Sequence, residues 1–373
     1  MDQGPELKSS TKLSRPRIRD LGYRPGKFEP GPRNSILDVK GLHVGQTTIH
    51  REPDIHTGRK IPDRGYKSSV QLTSQPIAIT NTVSVGKVYD ALFLWGAEQA
   101  RLRGESDLEA VRRFTIPLVA ETYDGMLNNI FASVIDRDSV NEALSAALSQ
   151  KEVQEGNYGG GTGMISHGYK GGTGTSSRVL PGYERDYTLG VLVQANYGKK
   201  DDLRIGNVPV GALLAEPKPS DPPLPAGGKA VEGSIIVVVA TDAPLLPHQL
   251  RRIAQHAGMG ITQVTGHAAG RNFSGEIFLA FSTGTSPDRL AHESNGFAYL
   301  PKLETEKVET LKNETIDSLF YAVSEATEEA ILNAMCKAES LTGFNGVHVN
   351  ALPVDEVKSL LDRYSIPRPH MHT

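Results

Sequence analysis

The chain has 373 residues, 38% hydrophobic and 22% charged, with a formal net charge of −3, the balance of an ordinary globular protein with no general affinity for nucleic acid or anionic membrane. Its single cysteine, Cys336, excludes an intramolecular disulfide and suits a reducing compartment. No apolar run approaches the roughly 20 residues of a membrane span, and the N-terminal MDQGPELKSSTKLSRPRIRD lacks the apolar stretch of a secretory signal, so a cytoplasmic protein is expected.

In chain order, residues 1–16 read as a loose polar tail. The stretch IHREPDIHTGRKIPDRGYKSSVQLTSQ, between Thr48 and Pro76, is polar and mostly without a strand pattern. PIAITNT, from Pro76, reads as a strand. A helix over Gly86–Leu102 places Val88, Leu92 and Trp95 on one face. A second helix over Asp138–Gln150 opens on Asp138 as its cap and aligns Val140, Leu144 and Leu148. YTLGVLVQAN is the next strand. AEPKPSDPPLPAGGKAVEG, Ala215–Gly233, is an exposed Pro/Gly linker. It runs into SIIVVVATD, whose consecutive apolar residues predict a strand covered on both faces. A helix follows from PLLPHQL, with Leu246, Leu250 and Ile253 inward; then the strand GEIFLAFST; then a helix with Ile316, Leu319, Phe320, Val323 and Ile331 inward. Length allows one large α/β domain or two smaller ones, and helices flanking sheets give a layered architecture.

The junction of linker and buried strand is Gly233–Ser234. A Gly-Ser pair is an ordinary loop ending. The sharper reading is a bond built to be cut: a serine hydroxyl held at a rigid strand start abuts a mobile linker. Glycine's freedom lets the preceding carbonyl bend toward that hydroxyl. Attack there gives an N-to-O acyl shift, and hydrolysis then frees an N-terminal serine. Its α-amine, with a pKa near 8, can accept a proton at neutral pH, so one residue becomes nucleophile and base.

Two glycine runs, YGGGTGM and GYKGGTGTSSR, fit neither phosphate-loop nor dinucleotide spacing and read better as close backbone approach. His50 and His56 sit in the irregular polar stretch and His370 and His372 near the C-terminus; no histidine grouping has metal spacing, so neither metal nor other cofactor is expected.

These stretches, with GPRNSILDVKGLHVGQTT, ITNTVSVG, ETYDGMLNNI, VLVQANYG and FSGEIFLAFST, are collinear with a known family. The chain resembles the L-aminopeptidase D-Ala-esterase/amidases and β-peptidyl aminopeptidases from Arg17 almost to its C-terminus. The resemblance implies an αββα sandwich similar to the N-terminal nucleophile hydrolases but differently connected. It implies self-cleavage before Ser234, dividing one domain into residues 17–233 and 234–373, which stay associated, commonly in a higher homo-oligomer. The implied activity is that of a serine aminopeptidase or amidase acting on small N-terminal residues of peptides, amides or esters, D- and β-amino acids included.

The resemblance implies that Ser274 and Glu276 support the nucleophile, as a hydroxyl held by a carboxylate can relay a proton. Taken alone, that pair is a solvated strand entry. It implies Asn196 as an oxyanion donor, which in isolation is a strand-end asparagine satisfying a turn. It implies Glu121 as the partner of the substrate's ammonium and Tyr123 as oxyanion donor or pocket wall; their segment otherwise reads as a capped helix start.

One departure stands out. Between Thr48 and Pro76 the family carries a longer insert that lines the pocket, and core strand material is expected to be missing here. An unprocessed, catalytically impaired relative is therefore an alternative. An ornithine acetyltransferase-like acyl transfer is a lesser one, because that group uses threonine where this chain has Ser234.

Overall fold

The computed structural model describes residues 14–51, 55–63, 76–106, 116–215, 233–267, 275–284, 305 and 307–365. Strands β1 (His43–Arg51), β2 (Ile55–Asp63), β3 (Ile77–Asn81) and β4 (Leu118–Thr122) form the first sheet in that order. β1 and β2 make an antiparallel hairpin. β3 and β4 are parallel and need a crossover, which contains helix α1 (Val85–Leu102). After α2 (Arg137–Ser149), a short hairpin of β5 (Ile165–Ser166) and β6 (Tyr169–Lys170) leads into the second sheet. That sheet comprises β7 (Gly172–Leu180), β8 (Tyr187–Asn196), β9 (Ser234–Thr241) and β10 (Glu276–Ser282), in spatial order β10-β9-β8-β7. α3 (Val210–Ala215) follows β8, and α4 (Pro247–Thr265) lies between the parallel strands β9 and β10. α5 (Asp317–Lys337), the small hairpin β11 (Leu341–Thr342) and β12 (His348–Val349), and α6 (Val354–Tyr364) complete the described order.

Alternation along β9 shows how the layers stack. Ile236, Val238 and Ala240 face the first sheet and pack with Val44, Ile77 and Ile79. Ile235, Val237 and Val239 face the other way and share a core with Ile253 of α4 and Ile331 of α5. The outer face of the first sheet is covered by α1 and α2, through Val88, Leu92, Val140 and Leu144 against Ala78. The order is helices, sheet, sheet, helices: the layered architecture read from the residues, in the αββα form that the family resemblance implies.

Several local expectations are corrected. The polar stretch after Thr48 is strand for much of its length: β1 runs to Arg51, and β2 pairs with it from Asp63 to Ile55. Main-chain hydrogen bonds carry a ladder whatever the side chains, so polarity alone does not forbid a strand. α2 is capped by Asp136, whose side chain accepts from the Ser139 amide at 2.9 Å, and Asp138 falls in the first turn. Leu148 is 70% exposed, and the inward stripe continues through Ala143 and Ala147 instead. Leu246 is the half-buried N-cap of α4, which extends to Thr265. Ala215 ends α3, and residues 216–232 of the expected linker lie outside the described residues, as do residues 1–13 of the tail. Arg15 is anchored, its Nε donating to the Cys336 carbonyl at 2.8 Å.

α5 departs most from an amphipathic pattern. It is buried on nearly every side, including Glu325, Glu328, Glu329 and Asn333. Buried charges need partners. Glu329 accepts from Arg19 Nε at 2.7 Å and Nη2 at 2.9 Å, from Arg178 Nη2 at 2.8 Å, and from the Asn34 amide. Burial pushes this carboxyl up, but the Arg19 hydrogen bond and the charges of Arg178 and Arg19, helped by Asn34, outweigh it and hold the pKa below 4.5. A depressed carboxyl contributes stability fully above its unfolded pKa, and loses it as pH falls through the folded value. Glu329→Gln should cost about 3–5 kcal/mol in urea unfolding at pH 7, since two cations lose a buried partner. The gap to wild type should close as pH falls below the folded pKa. A gap unchanged into acid would show that the charge is not what stabilises.

Candidate active site

β8 ends at Asn196, β9 begins at Ser234, and the antiparallel register sets the two residues opposite each other. Opposed residues project to one face with Cβ atoms about 4.5–5.5 Å apart. Leu192, Ile236 and Val238 belong to the core between the sheets, so Gln194, Asn196 and Ser234 face the first sheet by alternation.

The Asn196 side chain is held from two directions. Its Oδ1 accepts from the Ile165 amide at 2.9 Å, and its Nδ2 donates to the Tyr123 carbonyl at 3.0 Å. A peptide N–H only donates and a carbonyl only accepts, so the partners fix which way the amide points. The NH2 group carries a second hydrogen, available to a further acceptor.

Gly233 lies against the same residue. A Cβ there would stand 1.7 Å from the Asn196 carbonyl oxygen and 3.0 Å from Tyr197 Cα. The glycine before the serine is thus required for space, a reason different from the backbone freedom expected of it.

Polar contacts continue behind this pair. Gln194 Nε2 donates to Thr122 Oγ1 at 3.0 Å and to the Gly160 carbonyl. The glycine run accommodates this: a Cβ on Gly160 would come within 2.5 Å of the Gln194 amide, and one on Gly161 within 2.3 Å of the Thr173 nitrogen. The Lys170 ammonium, fully buried, donates to the carbonyls of Gly161 at 3.1 Å, Met164 at 2.8 Å and Gly171 at 2.8 Å. Burial pulls its pKa down to about 7. On the first sheet, Asp124 accepts from Asn81 at 3.3 Å and Asn128 at 3.0 Å. This ties the loop after β4 to the end of β3 and presents the Tyr123 carbonyl to Asn196.

The remaining expected residues are spread around this centre. The Tyr123 ring is 54% exposed and its hydroxyl lies over Gly125, where a Cβ would approach it to 2.5 Å. Glu121 is exposed, and its Oε2 accepts from Thr82 Oγ1 at 2.6 Å. Alternation puts Glu121 on the face of edge strand β4 opposite to Thr122. Glu276 pairs with Ile235 in register and shares the helix-side face with Phe278 and Ala280. Burial first, and the Glu276 charge second, raise the neighbouring Tyr197 phenol well above its ordinary pKa. Ser274 lies outside the described residues. The structure therefore brings together Gly233, Ser234, Asn196 and the Tyr123 backbone, sets Glu276 on the adjacent strand but on the opposite face of the sheet from Ser234, and leaves Glu121 at the periphery.

Sequence reasoning passed over Lys170, Gln194, Thr122 and the Asp124 cluster. Lys170 stands inside a glycine run, where the glycines drew the reading. Nothing in a single sequence marks a lysine as buried. His167 was also missed: it is fully buried beside Ser166, 3.1 Å from Oγ to Nδ1, and burial draws its pKa down to about 4, so it is neutral at pH 7.

The profile of peptidase family S58 matches residues 67–349. The chain is 37% identical to the beta-peptidyl aminopeptidase BapA of Sphingosinicella microcystinivorans, covering 96% of this chain and 95% of that protein. That match spans 398 positions, more than this chain's 373, so the relative carries residues without counterpart here. A Burkholderia sp. beta-aminopeptidase structure superposes with TM-score 0.78 at 36% identity, covering 95% of this chain and 100% of that one. The L-aminopeptidase D-Ala-esterase/amidase of Ochrobactrum anthropi superposes with TM-score 0.74 at 33% identity, covering 94% of this chain and 99% of that one. Its structure is described as a prototype for the serine aminopeptidases and a new variant among the Ntn hydrolase fold.

Gly233→Ala tests the packing at the strand junction. The added methyl must displace the end of β8, and overpacking of this kind typically costs about 1–3 kcal/mol. Denaturant unfolding of the alanine variant should show that loss, and an unchanged midpoint would mean that the junction has room to spare.

Proposed function

The chain belongs to peptidase family S58, a family of aminopeptidase-type hydrolases by the relatives above, and from that premise we propose a self-processing serine aminopeptidase that releases small N-terminal residues, β-amino acids included. The observation that carries the reading is the register: Ser234 stands opposite an asparagine amide already oriented by backbone partners, with Gly233 pressed against that asparagine's carbonyl.

In this reading Ser234 Oγ attacks the Gly233 carbonyl carbon. The C–N bond breaks as the amine takes a proton, leaving an ester that water hydrolyses to a Gly233 carboxylate and a free Ser234 amine. The mature enzyme repeats the chemistry on a substrate. The α-amine, with a pKa near 8, accepts the hydroxyl proton, and Oγ bonds to the substrate carbonyl carbon. The oxyanion is met by the second N–H of Asn196. The leaving amine departs with a proton, and water releases the acyl group. Ser274 is assigned to support the hydroxyl and Glu276 to hold Ser274 rather than Ser234 itself, since the Glu276 side chain takes the helix-side face and Ser234 the face toward the first sheet; the Tyr123 phenol is assigned to the entrance.

A second reading, a folded relative that no longer cleaves itself, is favoured by the residues that the Sphingosinicella protein carries without counterpart here. Intact mass measurement decides between them. Wild type should resolve into fragments 1–233 and 234–373 without added protease, and Ser234→Ala should remain whole. An uncut wild type supports the relic; cleavage of both proteins at this bond shows that another agent makes the cut.

Two substitutions test the roles. Asn196→Ala should lower kcat of whatever fraction matures by roughly a hundred- to a thousandfold with KM little changed, the usual loss for one oxyanion donor. Glu121 has a smaller effect. Because its carboxylate is exposed, pairing with a substrate ammonium is worth at most about 1 kcal/mol, or about fivefold. Glu121→Gln should reduce the preference for an amino acid amide over its N-acetyl form by no more than that, read as the ratio of kcat/KM values. An unchanged ratio removes Glu121 from substrate recognition.

A further inference from the structure

One buried charge has no place in this chemistry. Lys170 is fully buried, and among the described residues its ammonium has carbonyl partners and no carboxylate. Burying a cation without a carboxylate is costly, and the cost shows in a pKa drawn down to about 7, so that near neutral pH the group is part ammonium and part amine; only the ammonium can donate to all three carbonyls at once. Closing the glycine loops alone does not require a charge, since backbone carbonyls are satisfied as well by amides or water.

The decisive detail is which carbonyl it holds. Lys170 Nζ donates to the Met164 oxygen at 2.8 Å, and the Ile165 N–H donates to Asn196 Oδ1 at 2.9 Å. The Met164 carbonyl and the Ile165 N–H belong to one planar peptide group and point in opposite directions from it. A continuous line therefore runs from the ammonium through that peptide into the Asn196 side chain. We infer that Lys170 is a positioning residue that orients and polarises the Asn196 amide through the Met164–Ile165 peptide. Hydrogen bonds in such a chain strengthen one another, because an acceptor drawn upon at one end makes a better donor at the other. The ammonium pulls on the Met164 oxygen, the Ile165 N–H becomes more positive, and the Asn196 carbonyl it binds leaves the NH2 more acidic toward an oxyanion. The Gly171 amide also donates to the Met164 oxygen, at 2.9 Å, and steadies the same peptide without bringing a charge. The inference rests on the proposed role of Asn196 in the aminopeptidase reaction.

The test is a double-mutant cycle on amino acid p-nitroanilide hydrolysis, with rates expressed per cleaved Ser234 end. Lys170→Met keeps the volume and removes charge and donors; Lys170→Gln removes the charge and one of the three donors, keeps two, and adds an acceptor. Lys170→Met should lower kcat by about tenfold, a fraction of the roughly hundredfold or more that a whole oxyanion donor contributes, with KM little changed. Lys170→Gln should fall between it and wild type. In the Asn196→Ala background neither substitution should lower kcat further, because residues acting through one another are not additive. Independent multiplication of the two losses overturns the inference, as does an unchanged kcat in Lys170→Met. So does failure of both lysine variants to fold while Asn196→Ala folds, since the lysine would then be a requirement of folding. A wild type that neither cuts itself nor hydrolyses the anilide overturns the functional reading and this one with it. A wild type that does both but shows multiplicative losses overturns this one alone. If wild type cuts itself but hydrolyses no anilide, the same cycle is read on self-cleavage rates, with the same two outcomes.

Discussion

Much of the architecture depends on how the Glu329 carboxylate is satisfied. It sits on a helix buried on nearly all sides, where an unpartnered charge would be expelled, and it draws its partners from separate stretches of chain: Arg19, Asn34 and Arg178. Asn333, one turn further on, bonds the Ile18 amide at 3.0 Å and the Thr175 carbonyl at 3.0 Å. The N-terminal segment and strand β7 are thereby fastened to α5 in one orientation. β7 fixes β8 through their ladder, and β8 fixes β9. The position of Asn196 relative to Ser234 is inherited from this sequence of attachments, which begins well away from them.

The two sheets meet in different ways along their length. In the middle they touch through Ile79, Leu192, Ile236 and Val238, contacts that set a distance and little else. At the end where β8 stops, they meet through amides: Gln194 to Thr122 and Asn196 to the Tyr123 carbonyl. A neutral hydrogen bond of this kind adds only about 0.5–1.5 kcal/mol net, but it is directional and costly to leave unmade once buried. The site lies where the packing between sheets changes from apolar contact to hydrogen bonding, which is where side-chain orientation is most tightly specified.

The elements most legible in the sequence were those whose burial shows in composition. β9, with consecutive apolar residues, and α1, with Val88 and Leu92 at helical spacing, were read to within a residue or so. α5 was recognised as a helix through its apolar residues, while the burial of its glutamates was not legible, because only tertiary structure brings the Arg178 and Arg19 side chains to them. β2 went unread because its pairing is main-chain. The cap of α2 was misplaced by two residues because Asp136 and Asp138 offer the same chemistry, and only the backbone conformation decides between them. At the site, the opposition of Asn196 and Ser234 follows from two strands whose positions were legible and a register that was not. The surroundings of Glu121 were illegible, since exposure depends on which strand forms the edge of the sheet.

β9 lies inside its sheet, bonded to β8 on one side and β10 on the other, and its first residue is Ser234. New chain ends ordinarily fray, sampling a large volume and losing any fixed relation to nearby groups. An end created at Ser234 would begin life already threaded between two neighbours. Its amine would have little space to search and almost no configurational entropy left to lose when it engages a reactant. If the chain is cut there, the same strand would keep the product of scission in alignment, so maturation would require no subsequent refolding around the new end.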